Sequence, residues 1–188
     1  QKVHFMSRDG YLIKKCYDAF YPEAKSNYLY ASRDALTTLF FEKGSDLLGF
    51  SFLTYSLNYS PRKLLDLFCN VLKISVSDAI VQCSKNDFIV DQKFKSKEDC
   101  DQFLVFLSEN LLDYSKLEKY RSRMKRAFAK VIGPHECTVD IGYSGRPESI
   151  LSRLLGYPID ALYLFSNGDK ASVNSRFSDV KIQTLFPY

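Results

Sequence analysis

The chain has 188 residues, 46% of them hydrophobic and 26% charged. That length suits one ordinary domain with a full core, and the composition is globular and excludes a disordered tail. Lys and Arg number 26 against 22 Asp and Glu, a net charge of +4. So mild a balance gives no argument for nucleic acid, and no apolar run approaches the roughly 20 residues that span a bilayer.

A strand-like segment, Lys2-Val3-His4-Phe5-Met6, begins almost at once and without an initiator methionine. A chain that opens inside a core element is expected to be a fragment of a longer protein. The first strand, 3–6, runs into Ser7-Arg8-Asp9-Gly10 and then a helical pattern over 11–20 that ends before Pro22. A second strand is predicted over 28–31, with Ser32-Arg33-Asp34 at its end.

A long helical stretch, 36–131, follows. Ser60-Pro61 opens a helix carrying Leu64, Leu65, Phe68 and Leu72. Ser96-Lys97-Glu98-Asp99 and Ser115-Lys116-Leu117-Glu118 resemble capping boxes. The last helix lines up Leu117, Tyr120, Met124, Phe128 and Val131, stops at Gly133-Pro134, and carries the basic run Lys119, Arg121, Arg123, Lys125, Arg126 and Lys130. Opposite an apolar face, that run reads as a solvated surface.

The third strand, 138–141, ends in Gly142-Tyr143-Ser144-Gly145-Arg146-Pro147, with a helix over 147–155 stopped by Gly156. The fourth strand is 161–165. Strand, polar loop, helix, strand is the grammar of an α/β fold. The expectation is a single domain over 1–188, with a parallel sheet of at least four strands flanked by helices and a helical insertion or cap at 36–131, between strands two and three.

Cys16, Cys69, Cys83, Cys100 and Cys137 form no CxxC pair. An odd number cannot pair fully within one chain, so they read as reduced, mostly buried cysteines of a cytoplasmic protein. His4 and His135 lie far apart, and no ligand spacing supports zinc.

The strongest chemical signal is Val139-Asp140-Ile141-Gly142-Tyr143-Ser144-Gly145. Parallel sheets bind ligands beyond the carboxyl ends of their strands. Gly142 and Gly145 permit close approach of a ligand, the helix start favours an anion such as phosphate, and Asp140 suits sugar hydroxyls or a magnesium ion. The same residues also suit a tight turn in which Asp140 or Ser144 caps the helix. The loop Ser7, Arg8, Asp9 and Gly10 repeats the arrangement, Ser7 and the amides for phosphate and Arg8 for its charge, or else Asp9 as a cap. Arg33 is expected on the same edge, where its planar fork suits a diphosphate or an ion pair with Asp34 or Asp9.

Three stretches, FMSRDGYLIKK, YLYASRDAL and VDIGYSGRPESIL, followed by ALYLFS, resemble a bacterial family. It is the region following the N-terminal haloacid-dehalogenase-type domain of predicted hydrolases associated with glycosyltransferases for cell-surface polysaccharides. Arg8, Asp9 and Gly10 match its first motif, Ser32 and Arg33 its second, and Asp140, Ile141, Gly142 and Gly145 its third. Tyr143, Arg146 and Glu148 replace the family's Trp, Ser and Gln. A haloacid-dehalogenase-type phosphatase also needs an Asp-x-Asp nucleophile on an earlier strand, and none precedes Ser7 here. The loop from Asp140 is similar to the phosphate loop of type I phosphoribosyltransferases, with Val139 in place of the first acid.

The resemblance implies a domain that handles a phosphorylated sugar or nucleotide in polysaccharide metabolism, covalently linked to a neighbouring domain. The mild charge and the lack of a long apolar run add the expectation of no nucleic acid partner and no membrane span. The alternative is a non-catalytic docking or stabilising module of a multidomain glycosyltransferase or hydrolase. No catalytic residue is assigned. The ligand-binding residues are Ser7, Arg8, Asp9, Gly10, Arg33, Asp140, Gly142, Ser144 and Gly145, and Asp140 is the residue for magnesium.

Overall fold

The computed structural model describes residues 2–7, 9–42, 59–142, 144–167 and 178–187, leaving aside the side chains of Arg33, Asp34 and Pro187. Five strands are present, β1 (Val3–Met6), β2 (Ser26–Leu29), β3 (Cys137–Asp140), β4 (Ile159–Ser166) and β5 (Val180–Pro187). They form one parallel sheet in the order β2-β1-β3-β4-β5. The described elements are thus α/β, and the five-stranded parallel sheet meets the expectation of at least four strands, with β5 added to those read from the sequence.

Two crossovers set the layers. β1 leads through α1 (Gly10–Phe20) to β2 on one side, and β3 leads through a later helix, Arg146–Leu155, to β4 on the other. Right-handed crossovers in opposite directions place their helices on opposite faces. Side chains show the same division. Phe5 of β1 meets Tyr17 of α1 at 5.3 Å between ring centroids, whereas Thr138, the neighbour of His4 in register, bonds to Glu148 of the later helix. His4, Phe5 and Met6 are consequently all buried. A strand covered on both faces needs an unbroken apolar run, not an alternating one.

β2 begins two residues before the predicted 28–31 segment and ends before Tyr30, which is 84% exposed. It is an edge strand, so Ser26 and Asn27 can pair with Val3 and His4 while keeping polar side chains half-exposed. β5 is the other edge. Its half-exposed alternation, Val180-Lys181-Ile182-Gln183-Thr184, lacks the apolar run that marked the central strands.

The chain divides into two compact units, residues 1–37 with 124–188, and residues 38–123. Arg33–Thr37 forms a short helix, α2, and Thr38–Phe40 a single 3₁₀ turn. The regular elements described in the second unit are helical, with α3 (Pro61–Leu72), α4 (Val76–Lys85), α5 (Lys97–Asn110) and most of α6 (Tyr114–Ala129). Residues 43–58 of the predicted helical stretch lie outside the described residues. Leu64, Leu65, Phe68, Phe103, Leu104 and Leu107 form its buried apolar core.

Ser60, Ser75 and Ser96 each accept a hydrogen bond from the amide three residues on, so α3, α4 and α5 all start with a side-chain cap. α6 differs from expectation. It starts at Tyr114, and Asp113 rather than Ser115 accepts the Lys116 amide at 3.1 Å. The helix also ends at Ala129, before Gly133-Pro134. Its Arg121 is not part of a solvated face. It is 4% exposed, with its guanidinium toward Glu42 and Glu118, while Lys119, Arg123, Lys125, Arg126 and Lys130 are exposed as expected. Among the cysteines, Cys69, Cys83 and Cys100 are buried, Cys137 is half-buried and Cys16 is exposed.

Replacing Ser96 by Ala removes the cap that holds the Asp99 amide at 3.1 Å. Urea unfolding of the variant should show a loss of about 1 kcal/mol, as for other serine caps.

Candidate functional site

The strand order reverses between β1 and β3, which are neighbours in the sheet although β2 lies between them in sequence. In open parallel sheets the crevice at such a reversal, outside the carboxyl ends of the strands, is where ligands bind. The 7–10 loop leaves the carboxyl end of β1 and the 142–145 loop that of β3. Because β1 and β3 are parallel and adjacent, the two loops stand side by side on one edge.

Around this edge Ser7, Asp140, Gly142 and Ser144 are half-buried, Asp9 is exposed, and Gly10 and Gly145 are buried. Arg8 and Tyr143 lie outside the described residues, as does the side chain of Arg33. Arg33 does not end a strand. β2 stops at Leu29, and Arg33 opens α2, whose Ala35 amide is accepted by Ser32 Oγ at 3.2 Å.

The glycines have a tighter role than the sequence suggested. A Cβ on Gly10 would sit 3.1 Å from the Phe5 carbonyl carbon and 3.3 Å from the Val139 carbonyl oxygen, so α1 starts hard against β1 and β3. Gly142 has φ +146°, and a Cβ there would lie 2.1 Å from the Phe165 carbonyl oxygen. Gly145 has φ +67°, with Ile182 Cδ1 2.4 Å from its would-be Cβ. The close approach at Gly142 and Gly145 is therefore to β4 and β5 of the protein itself.

Asp9 occupies the N-cap position of α1 but makes no side-chain cap hydrogen bond. The helix after β3, α7 (Arg146–Leu155), has Gly145 at its N-cap, so neither Asp140 nor Ser144 holds that position. Asp140 Oδ1 instead accepts the Ile141 amide at 2.8 Å. Val139 is buried, so Asp140 is the carboxylate that this strand end presents.

The residue that sequence reasoning left out of the site is Glu148. It lies in the first turn of α7 and is 0% exposed. Thr138 Oγ1 donates to its Oε1 at 3.2 Å, and the Tyr163 hydroxyl donates to Oε2. Thr138 and Asp140 are two residues apart on β3, and Asp140 is in register with Tyr163 of β4, so all three point to the α7 face. Burial pushes the Glu148 carboxyl up to about 7. The bonds from Tyr163 and Thr138 oppose that rise, and the charge of Asp140 adds to it. Burial also raises Tyr163, helped by Glu148, while a backbone hydrogen bond from Gly145 works the other way. An acid three residues after a helix-starting glycine was the available signal, but it looked like an ordinary first-turn glutamate.

A second titratable pair, a buried histidine against a half-buried carboxylate, lies toward the amino end of the sheet. His4 Nε2 meets Glu136 Oε2 at 2.6 Å, and Glu136 also accepts the Gly133 amide at 2.9 Å. Burial lowers His4 against the pull of that carboxylate. A neutral ring donating from Nε2 leaves Nδ1 as a bare acceptor, and Nδ1 has no hydrogen-bond partner.

Comparison of the chain with family models, with curated proteins and with solved structures returned no match. The physical arrangement of the edge is therefore the basis for assigning function.

Gly142→Ala should lose at least about 3 kcal/mol in urea unfolding, because the methyl meets backbone. Gly145→Ala should lose less, because Ile182 Cδ1 can swing aside. Glu148 carries a pH signature. Its folded pKa lies above the ordinary 4.5, so its contribution is fully present below about 4.5 and is lost as pH rises through about 7. The loss amounts to about 3 kcal/mol. Glu148→Gln lacks it, so the stability difference between variant and wild type should move by about that much in the variant's favour between pH 4.5 and pH 8.

Proposed function

We propose that the domain binds a phosphorylated sugar or a nucleotide in the crevice between the carboxyl ends of β1 and β3. On this reading it serves a predicted hydrolase or transferase of bacterial cell-surface polysaccharide metabolism, in the cytoplasm and covalently linked to a neighbouring domain. One observation carries the reading. The two helices that start at the strand-order reversal, α1 and α7, have N-cap residues without a side-chain cap, whereas α3, α4 and α5 are each capped by serine. Two helix starts side by side suit an anion with several oxygens, such as a phosphate.

The ligand's phosphate would take amides of the 142–145 turn and of the start of α1, with Ser7 and Ser144 as hydroxyl donors. Asp140 would accept from sugar hydroxyls. No group of three or more His, Cys, Asp and Glu gathers among the described residues. That still fits magnesium, which commonly uses one or two carboxylates together with the ligand's own phosphates. Asp140 is the residue that would hold it, and the ion would neutralise phosphate charge. Val139 in place of the first acid of a phosphoribosyltransferase loop argues for binding rather than for transfer.

A second reading, a docking module, is favoured by a separate feature. Phe165 and Phe186 stack at 5.6 Å at the carboxyl end of β4 and β5, and both are exposed, as is Leu185. Such an apolar edge suits a covering surface.

Thermal-shift screening with sugar phosphates, sugar nucleotides and phosphoribosyl diphosphate, each with magnesium, separates the two. A ligand at 100 times its Kd should add about 2.7 kcal/mol. Asp140→Asn should melt within a few degrees of wild type and lose that shift. If no compound stabilises the wild type, and Asp140→Asn costs roughly 1–3 kcal/mol as a broken charged hydrogen bond would, the docking module is the better account.

A further inference from the structure

The carboxyl end of β2 carries a group of tyrosines that the site described so far does not use. Leu29 and Ala31 are buried, whereas Tyr30 between them is 84% exposed. The Ala31 amide donates to the Leu29 carbonyl at 2.9 Å, a tight turn that fixes Tyr30 at its apex. Tyr30 meets Tyr28 edge to face at 4.9 Å between ring centroids, and Tyr28 meets Tyr11 in the same way at 5.8 Å. The Lys15 ammonium lies over the Tyr11 ring, 5.6 Å from its centroid.

These rings stand beside the crevice. Met6 of β1 is in register with Leu29, so Tyr30 leaves β2 at the level where Ser7 leaves β1. Adjacent strands are only about 4.8 Å apart. Phe5, which packs on Tyr17 of α1, is in register with Tyr28, so Tyr28 faces α1, and Tyr11 is the second residue of that helix. The group therefore lies on the same edge as the start of α1 and on the same face of the sheet.

We propose that Tyr30, backed by Tyr28 and Tyr11, is a stacking platform for the base of a nucleotide whose phosphate lies in the crevice between β1 and β3. This rests on the phosphate reading of the site given above, and it selects nucleotides over sugar phosphates. A base stacks on an aromatic side chain through flat π faces, whatever its hydrogen-bonding edge. A tyrosine as exposed as Tyr30 keeps a face open for that contact. The edge-to-face contact with Tyr28 holds the ring in place beforehand, so stacking costs little side-chain freedom. Lys15 adds a positive charge beside the rings, and its sign complements the phosphate of the same ligand.

Ribose 5-phosphate and the 5′-monophosphates of adenosine and uridine share a sugar and a phosphate and differ in the base. They are the probes, each titrated with magnesium into the full chain by calorimetry, with adenosine as the control for the base alone. Both nucleotides should bind wild type roughly 5- to 150-fold tighter than ribose 5-phosphate, the gain of one stacked base. Tyr30→Ala should bring the nucleotides down to ribose 5-phosphate and leave ribose 5-phosphate unchanged. Tyr30→Phe keeps the ring and should keep the gain. Because Tyr30 is exposed, both variants should melt with wild type.

Equal affinity of wild type for the nucleotides and for ribose 5-phosphate overturns the proposal and leaves the phosphate reading standing. A Tyr30→Ala variant that loses ribose 5-phosphate as far as the nucleotides also overturns it, because the ring then serves the sugar. So does a wild-type dimer, seen by sedimentation without ligand, that Tyr30→Ala dissolves, because a second copy then covers the rings. If adenosine binds as tightly as its monophosphate and Tyr30→Ala abolishes both, the phosphate reading falls and the platform stands. If neither the nucleotides nor adenosine bind, both fall.

Discussion

Between β1 and β3 the direction of winding changes, and every feature of the candidate site descends from that change. Pairing of His4 with Thr138 and of Phe5 with Val139 brings two loops, distant in sequence, to one edge. It also forces α1 and α7 onto opposite faces, so that each loop delivers its own helix start. The pairing demands apolar cover on both faces, which explains why His4, Phe5 and Met6 of β1 are buried and why Gly10 must have no side chain where α1 leaves it. A sheet wound in one direction would separate the two turns and leave neither with a neighbour.

Much of this was legible because central strands and amphipathic helices leave strong patterns. The run Val3-His4-Phe5-Met6, the Pro147 and Gly156 that bracket α7, and the serines that open α3 and α5 each carry a local physical signal. The misses have local causes as well. β5 and the start of β2 are edge elements, and an edge tolerates polar residues that blur the pattern. Asp113 displaced Ser115 as a cap because both can accept an amide, and only the backbone decides which one stands at the right distance. Arg121 looked like one more surface cation until Glu42 and Glu118 gave it partners.

Glu148 marks the limit of reading a site from residue types alone. A carboxylate at a strand end draws attention as a ligand, so Asp140 was noticed and its buried neighbour was not. Burial pushes the Glu148 carboxyl up to about 7, so that below that pH it is a neutral hydrogen-bonding group, much like an amide. A neutral hydrogen-bonding side chain meets the needs of Thr138 and Tyr163. His4 shows the opposite sign. Burial disfavours the charged form of both, raising the pKa of Glu148 and lowering that of His4.

The division of the first unit into two stretches of chain bears on how the sheet is made. β1 finds β2 across a short helix, whereas its other neighbour arrives only after the whole of the second unit has been synthesised. His4 and Glu136 are 132 positions apart. Pairings of that span fold slowly, because closing a long loop costs entropy before any contact repays it. On a ribosome two of the five strands would emerge and wait with one side of β1 uncovered. An open strand of this kind is a template for pairing with the wrong neighbour. The apolar run that makes β1 easy to recognise is therefore also the segment most in need of protection while the chain is incomplete.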